Sequence, residues 1–112
     1  MKLKNVTIPT PAQLSRAARL LKVLGHPARL RILYFVEGGE ETVTAIQKHV
    51  GLTQAMTSQH LKILYEVGLI EWRREGTSIF YQVTEGLGRK LLPCLRGCQE
   101  LWSGEPFEHL DD

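Results

Sequence analysis

Cys94 and Cys98, the only two cysteines of the 112-residue chain, are the side chains best suited to covalent or soft-ion chemistry. Residues four apart on a helix share a face, with Cβ atoms about 5–6 Å apart. An unstrained disulfide needs roughly 3.5–4.5 Å, so a direct bond would require local unwinding. A soft ion bound about 2.3 Å from each thiolate, as zinc is, spans the gap, and so does a longer sulfur chain. The alternative is that both cysteines are small apolar residues of the core.

A second set of functional side chains lies on a predicted helix that Thr53 caps. Its inner face carries Thr57, Leu61 and Leu64 at helical spacing. The opposite face presents compact polar groups, one methyl group and one lysine: Gln54, Ala55, Ser58, Gln59 and Lys62. Amide, hydroxyl and methyl groups of this size recognise base edges in a DNA major groove, and lysine reaches phosphates. We therefore predict a DNA-reading helix; the alternative is an ordinary amphipathic helix with a solvated face.

The preceding segment completes a helix-turn-helix pattern. Thr42 is the expected N-cap of a short helix from Val43 to Val50. Gly51 is expected to end this helix in a left-handed conformation, and Leu52 to be the buried residue of the turn.

A basic β-hairpin is predicted directly after the DNA-reading helix. Two short runs rich in β-formers, residues 70–73 and 79–83, flank a polar loop over residues 74–78. In a winged helix such a hairpin lies beside the helix in the groove. We expect Arg73, Arg74 and the Gly76 backbone to contact phosphates or the minor groove, and we assign Thr77 to the same surface.

These motifs resemble the ArsR/SmtB family of bacterial repressors over residues 14–84. The resemblance rests on six stretches of sequence: residues 24–33, 51–54, 58–64, 68–70 and 73–76, and Tyr81. It implies an obligate homodimer that binds operator palindromes in double-stranded DNA. Release would follow contact with a metal ion, a metalloid or a reactive sulfur or oxygen species. It also implies that Gln54, Ala55, Ser58 and Gln59 occupy base-reading positions.

The fold class expected is mainly α with a small β-hairpin, in the order α-α-α-α-β-β-α. Residues 1–9 are predicted to be a flexible arm, 10–104 the winged helix-turn-helix domain and 105–112 an acidic tail. Thr10 and Gln13 form a capping box at the start of the first helix, which Gly25 ends. Pro27 begins the second helix, which runs to about Glu37. Thr84 is expected to cap the last helix, which runs to about Trp102 and is closed by Ser103-Gly104.

The first and last helices are predicted to form the dimer interface, because both carry more apolar residues than one small core can bury. The predicted interface consists of Leu14, Ala17, Leu21, Leu87, Leu91, Leu95 and Trp102. Pro93 is expected to kink the last helix near residues 89–93.

The identity of the inducer is constrained by ligands that the sequence lacks. Where the family places a thiol pair on the third helix, this chain has Thr42 and Thr44. Asp and His, expected near the start of the last helix, are replaced by residues 84–87, and the second helix has no cysteine. The four histidines, His26, His49, His60 and His109, are interpreted as structural.

Cys94 and Cys98 therefore form a variant site. Trivalent arsenic or antimony, or another thiophilic ion, is the first choice of inducer, and persulfide or polysulfide the second. The alternative is a repressor without cysteine-based sensing. No cofactor is expected for DNA binding itself.

Composition agrees with a cytoplasmic DNA-binding protein. The net charge is +2, but four acids lie in the last eight residues, and the remaining 14 basic and 8 acidic residues give the body a charge of +6. The sequence shows neither a membrane-spanning run nor a signal peptide. Catalysis is not expected, because the cysteine pair is mid-helix with one residue more than a Cys-x-x-Cys redox motif. A winged-helix interaction module without DNA binding is the third class. The residues that argue against it are Gln54, Ser58, Lys62, Arg73 and Arg74.

Overall fold

The computed structural model describes residues 7–101, except the side chains of residues 99 and 100. Several predictions fall outside this range: most of the N-terminal arm, Trp102, the Ser103-Gly104 helix end, His109 and the acidic tail. The domain boundaries at 9/10 and 104/105 stay predictions.

Within residues 7–101, five helices and three short strands make up the fold. In chain order they are α1 (Pro11–Leu24), α2 (Pro27–Glu37), β1 (Glu41–Thr42), α3 (Val43–Val50), α4 (Gln54–Glu66), β2 (Ile70–Glu75), β3 (Ser78–Val83) and α5 (Leu87–Leu101). None of the described helices is both long enough and apolar enough to cross a membrane.

The core lies between the end of α1, helices α2, α3 and α4, the base of the hairpin and one residue of α5. Ile32 and Leu33 of α2, Ile46 of α3 and Leu64 of α4 are completely buried. Leu92 is the α5 residue that is completely buried in the same cluster. The helix-turn-helix pair is therefore fixed to the rest of the domain from several directions.

Helix ends follow the sequence signals. Thr10 and Gln13 form the predicted capping box, and the Thr42 and Thr53 side chains accept hydrogen bonds from the amides of Ala45 and Met56. Gly51 has φ 71°, the left-handed conformation that glycine adopts without strain. These predictions are confirmed.

The sheet differs from the predicted two-stranded hairpin. It has three antiparallel strands in the order β1-β3-β2, because Glu41 and Thr42 pair with Tyr81 and Phe80. The hairpin is also longer than expected: Glu75 pairs with Ser78, which leaves a two-residue turn of Gly76 and Thr77. The predicted loop over 74–78 was therefore too long. Gly76 has φ 63°, as tight hairpin turns require, so the polar residues on either side remain in strands.

The last helix begins later than predicted. α5 starts at Leu87, and Thr84 lies before it. The Thr84 hydroxyl still accepts a hydrogen bond from the Gly88 amide (2.9 Å) and donates one to the Gly68 carbonyl (2.8 Å). Thr84 thus joins the start of α5 to the turn between α4 and β2. The helix continues through Pro93, and the expected kink stays a prediction.

Candidate nucleic-acid interface

α4 presents the predicted polar face to solvent. Thr57, Leu61 and Leu64 are buried as expected, and the Thr57 hydroxyl donates to the Thr53 carbonyl at 2.8 Å. The five side chains proposed to face DNA are all exposed: Gln54, Ala55, Ser58, Gln59 and Lys62. Their donors and acceptors are therefore accessible to a double helix lying along α4.

Two grooves separate α4 from the hairpin, and Ser58 lines both. One, of about 450 Å³, lies between Gln54, the start of α3 and the end of the hairpin with Thr77. The other, of about 300 Å³, lies between Lys62 and Arg74. Helix α4 and the hairpin, which forms the wing, therefore present one continuous surface rather than two separate ones.

Arg74 lies on the α4 side of the hairpin. Successive side chains of a strand point to opposite faces, so Trp72 and Arg74 share a face. Trp72 contacts Tyr65 of α4 with ring centroids 6.5 Å apart, which identifies that face as the one toward α4. Arg74 is exposed, and it makes no ion pair with the described residues.

Arg73 has different surroundings from those the sequence suggested. It lies on the opposite face of β2 and donates from Nε and one terminal nitrogen to the two Glu40 carboxylate oxygens, at 2.8 and 2.9 Å. It also pairs with Glu75 at 2.5 Å, and its guanidinium lies 4.8 Å from the Phe80 ring centroid. The hydrogen bonds from Arg73 lower the pKa of Glu40. The predicted phosphate contacts of Arg73 and Arg74 are thus not equivalent, because one guanidinium is paired and the other is not.

His60 connects the DNA-facing helix to the helices behind it. It is buried, and its Nδ1 accepts a hydrogen bond from Arg29 Nε at 3.2 Å. Arg29 also donates to the Val23 carbonyl near the end of α1, and His26 lies edge-on to His60 at 4.6 Å. The pKa of His60 is lowered mainly by burial, and the charges of His26 and Arg29 lower it further. His49 stacks on Phe35. The structural interpretation of His26, His49 and His60 therefore has contacts to support it.

The two cysteines are free thiols and both are exposed in the single chain. At 100° per residue Cys94 lies about 160° and Cys98 about 120° around α5 from the buried Leu92. The core-packing alternative for the cysteines is therefore wrong for the single chain. Among the described residues no three His, Cys, Asp or Glu side chains gather where they could hold a metal ion, so one chain offers a soft ion two thiolates.

The outer faces of α1 and α5 carry exposed leucines. Leu14 and Leu21 are 51% and 68% exposed, and Leu87 and Leu101 are 39% and 78% exposed. Ala17 of α1 and Leu87 of α5 line one groove together with residues at the end of α4, so the middle of α1 lies near the start of α5. Leu91 and Leu95 are half-buried against the core.

Three side chains of this region were given no role in DNA binding from the sequence. Thr44 lines the groove beside Gln54 and Ser58, and Met56 is 47% exposed in the first turn of α4. Positions in the first turn of a helix next to the DNA-reading residues are a signal that could have found Met56. Glu40 could have been found only from the pairing of β1, which is too short to show a pattern.

Comparison with known proteins agrees with this geometry. The family model for bacterial regulatory proteins of the ArsR family matches residues 26–71. A biofilm growth-associated repressor of Agrobacterium fabrum is 38% identical over 91 residues, covering 79% of this chain and 78% of the relative. A probable mercury resistance operon repressor of Streptomyces lividans is 36% identical over 66 residues, 59% of this chain and 53% of that protein.

A solved structure of a similar protein has the same fold. The solution structure of a homodimeric winged helix-turn-helix DNA-binding domain from Mycobacterium bovis, described as a possible ArsR-family regulator, superposes with a TM-score of 0.71. The two are 33% identical, and the match covers 85% of this chain and 90% of that domain. The predicted winged helix-turn-helix fold and the resemblance noted from sequence are both confirmed: this chain belongs to the ArsR family of bacterial regulatory proteins.

Proposed function

We propose that this ArsR-family transcriptional repressor is released from its operator by an inducer that binds or modifies Cys94 and Cys98. The family consists of DNA-binding regulators, which confirms the prediction that the chain is not an enzyme. A regulator of bacterial genes acts where the DNA is, so we propose a cytoplasmic protein.

The observation that carries the proposal is the position of the thiols. Both cysteines are exposed and lie among Leu87, Leu91 and Leu101 on the side of α5 away from the buried Leu92. A free thiol exposed on this face has no packing role within the single chain. It is placed to act where another surface meets that face.

That other surface is, in our proposal, a second copy of the chain. Exposed leucines lie on both α1 and α5, and apolar side chains left exposed in this number are the usual sign of an interface. The homodimeric relative from Mycobacterium bovis supports this assembly. A two-fold axis along α5 would bring four thiols together, two from each chain.

Operator recognition is assigned to α4 and the wing. We propose that Gln54, Ala55, Ser58 and Gln59 contact base edges in the major groove, while Lys62, Arg74 and Thr77 contact the backbone. Their exposure along one continuous surface supports this division.

The chemistry of the site selects soft or sulfur-transferring inducers. Thiolates prefer soft ions, and two or four thiols suit trivalent arsenic or antimony better than a hard cation. Polysulfide is the second candidate, because a helix holds the two sulfurs farther apart than a direct disulfide allows. The relative named for mercury resistance supports a thiophilic inducer.

Release requires that the inducer bind more tightly to a dimer geometry that no longer fits DNA. Arg96, between the two cysteines, pairs with Glu37 at the end of α2, and its guanidinium lies 5.5 Å from the Tyr34 ring centroid. A shift in the position of α5 would therefore be transmitted through these contacts to α2, which packs against α4 in the core. Coupling on the order of 1–3 kcal/mol is the usual range for such regulation.

The test is a titration of labelled DNA from the protein's own upstream region. Parent protein binds, and trivalent arsenic, antimony, cadmium, zinc and polysulfide are then added in turn. We expect release by a thiophilic reagent, and we expect Cys94→Ser and Cys98→Ser proteins to bind DNA normally without release.

The matched control is Ser15→Cys, which adds an exposed thiol on α1, outside the proposed DNA-binding surface and off the apolar stripe of α1. It should respond to the inducer as the parent does. If the Cys94→Ser/Cys98→Ser protein releases DNA at the parent's inducer concentration, sensing does not use these thiols.

A further inference from the structure

We propose that Arg73 is a positioning residue and not a phosphate contact. Its ion pair with Glu40 holds the wing at a fixed angle to α4. The proposal rests on DNA binding through α4 and the wing, and it changes the role of one residue within that surface.

The first support is geometric. Arg73 binds Glu40 through two parallel N–H···O contacts of 2.8 and 2.9 Å, the fork arrangement that fixes orientation as well as distance. Glu40 immediately precedes β1, and Arg73 lies in β2, with β3 between them. The contact thus crosses the central strand and joins the two outer strands of the sheet.

The second support is strand register. Arg73 faces Phe80 across β2 and β3, and Thr42 faces the same Phe80 across β1 and β3. Glu40, two residues before Thr42, is therefore on the same face, and the Arg73 guanidinium lies over the Phe80 ring at 4.8 Å. An aromatic ring and a carboxylate hold the guanidinium from two sides. This face is the one away from α4.

The third support is charge. The Arg73 cation is shared between Glu40 and Glu75, so a DNA phosphate would have to displace carboxylates already bound. Arg74, one residue on, has no such competition among the described residues. The two roles, holding the wing and binding phosphate, are divided between neighbours.

The variant Glu40→Gln separates the two possible roles of Arg73 by the sign of its effect. It removes a negative charge near the DNA surface, which would strengthen DNA binding if Arg73 were a phosphate contact. If Glu40 instead holds a positioning residue in place, removal of its carboxylate charge weakens operator binding, by about two- to tenfold. Glu41→Gln is the matched control, because it makes the same charge change one residue away and the Glu41 side chain forms no hydrogen bond or ion pair with the described residues. It should not weaken binding.

Two further measurements complete the test. Arg73→Gln should weaken operator binding with the slope of log affinity against log salt unchanged, because no phosphate contact is lost, whereas Arg74→Gln should reduce the slope by about one. Amide hydrogen exchange of residues 74–79, measured without DNA, should be faster in Glu40→Gln than in Glu41→Gln. This DNA-free readout tests the wing contact even if no operator is bound.

Tighter operator binding by Glu40→Gln, or a salt slope lowered by about one in Arg73→Gln, would make Arg73 a phosphate contact and overturn the proposal. Unchanged hydrogen exchange in the wing of Glu40→Gln would overturn it as well. If the parent protein bound no DNA while wing exchange responded as expected, the proposed function would fail and the wing contact would stand.

Discussion

Arg73 and Arg74 are neighbours in sequence and lie in different electrostatic surroundings because a strand turns them to opposite faces. The sequence pattern predicted a basic wing, and it did not separate the paired arginine from the unpaired one. The separation depends on Glu40, which is 33 residues away in sequence. Strand alternation alone predicts the two faces, but only the three-dimensional contact identifies which face carries the carboxylate.

The first residue-level prediction concerns base and phosphate contacts. Ser58→Ala should cost about 1–3 kcal/mol of operator affinity and relax sequence preference, because a base-edge hydrogen bond is lost. Arg74→Gln should weaken binding to all sequences similarly. Affinities for operator and scrambled DNA, measured by fluorescence anisotropy at several salt concentrations, check both. Base preference altered by Arg74→Gln and not by Ser58→Ala would reverse the assignment.

The second residue-level prediction concerns the pH dependence of stability. Because the folded protein lowers the pKa of His60 below its usual 6.5, the neutral ring is favoured in the fold and the unfolded chain takes up the proton first. The stability contribution of neutral His60 is full above about pH 6.5 and is lost as the pH falls from there through the folded pKa. Denaturant unfolding between pH 7.5 and 5 should show this loss.

Protonated His60 would also face Arg29 and His26, so the Arg29 hydrogen bond to Nδ1 would be lost. The His60→Gln variant, which cannot take up a proton, should have a flatter pH dependence, and His49→Gln serves as the control. The same pH slope in His60→Gln and in the parent would contradict the role given to His60.

At the scale of elements, helix ends and the two helix faces were predictable because they depend on residues close in sequence. The caps at Thr10, Thr42 and Thr53 are local signals, and the buried face of α4 follows helical spacing. β1 was missed because two residues carry no periodicity and their pairing with β3 joins distant segments. The start of α5 was placed too early for a similar reason: Thr84 contacts the turn before β2 as well as the helix.

Packing of α5 against the sheet gives an element-level prediction. A Cβ at Gly88 would lie 2.6 Å from the Leu69 backbone oxygen and 3.1 Å from the Val83 side chain, so α5 or the sheet must move. Gly88→Ala should therefore destabilise the protein by about 1–3 kcal/mol. Gly86→Ala is the control, because a Cβ there meets no atom within 4 Å. Equal unfolding midpoints for the two variants would show that α5 does not pack closely against Leu69.

For the whole molecule, we propose that a second copy of the chain covers the exposed leucines of α1 and α5. The sequence pattern led to the same interface through apolar spacing; the interface stays a prediction, and Trp102 lies outside the described residues. The arrangement of the thiols across the two-fold axis was not predictable, because it depends on how two α5 helices meet.

Leu91→Glu tests this interface. It places a carboxylate between two apolar surfaces with no cation to pair with, and burying such a charge costs several kcal/mol. Sedimentation should show a monomer, and operator affinity should fall together with dimerisation. The control is Lys48→Glu, which adds the same side chain at an exposed position of α3, outside α1 and α5, and should leave the dimer intact. A Leu91→Glu protein that remained dimeric would place the interface elsewhere.

The most direct test of thiol-directed release uses the reciprocity of binding. If the inducer that dissociates DNA in the titration above lowers operator affinity by some factor, operator DNA must lower the affinity of the protein for that inducer by the same factor. We would measure inducer binding to the dimer alone and to the dimer saturated with operator, with a scrambled duplex as control. We predict weaker inducer binding only in the operator complex, by the factor found for release. Equal inducer affinity of free and operator-bound protein would contradict a coupling between Cys94, Cys98 and the DNA-binding surface.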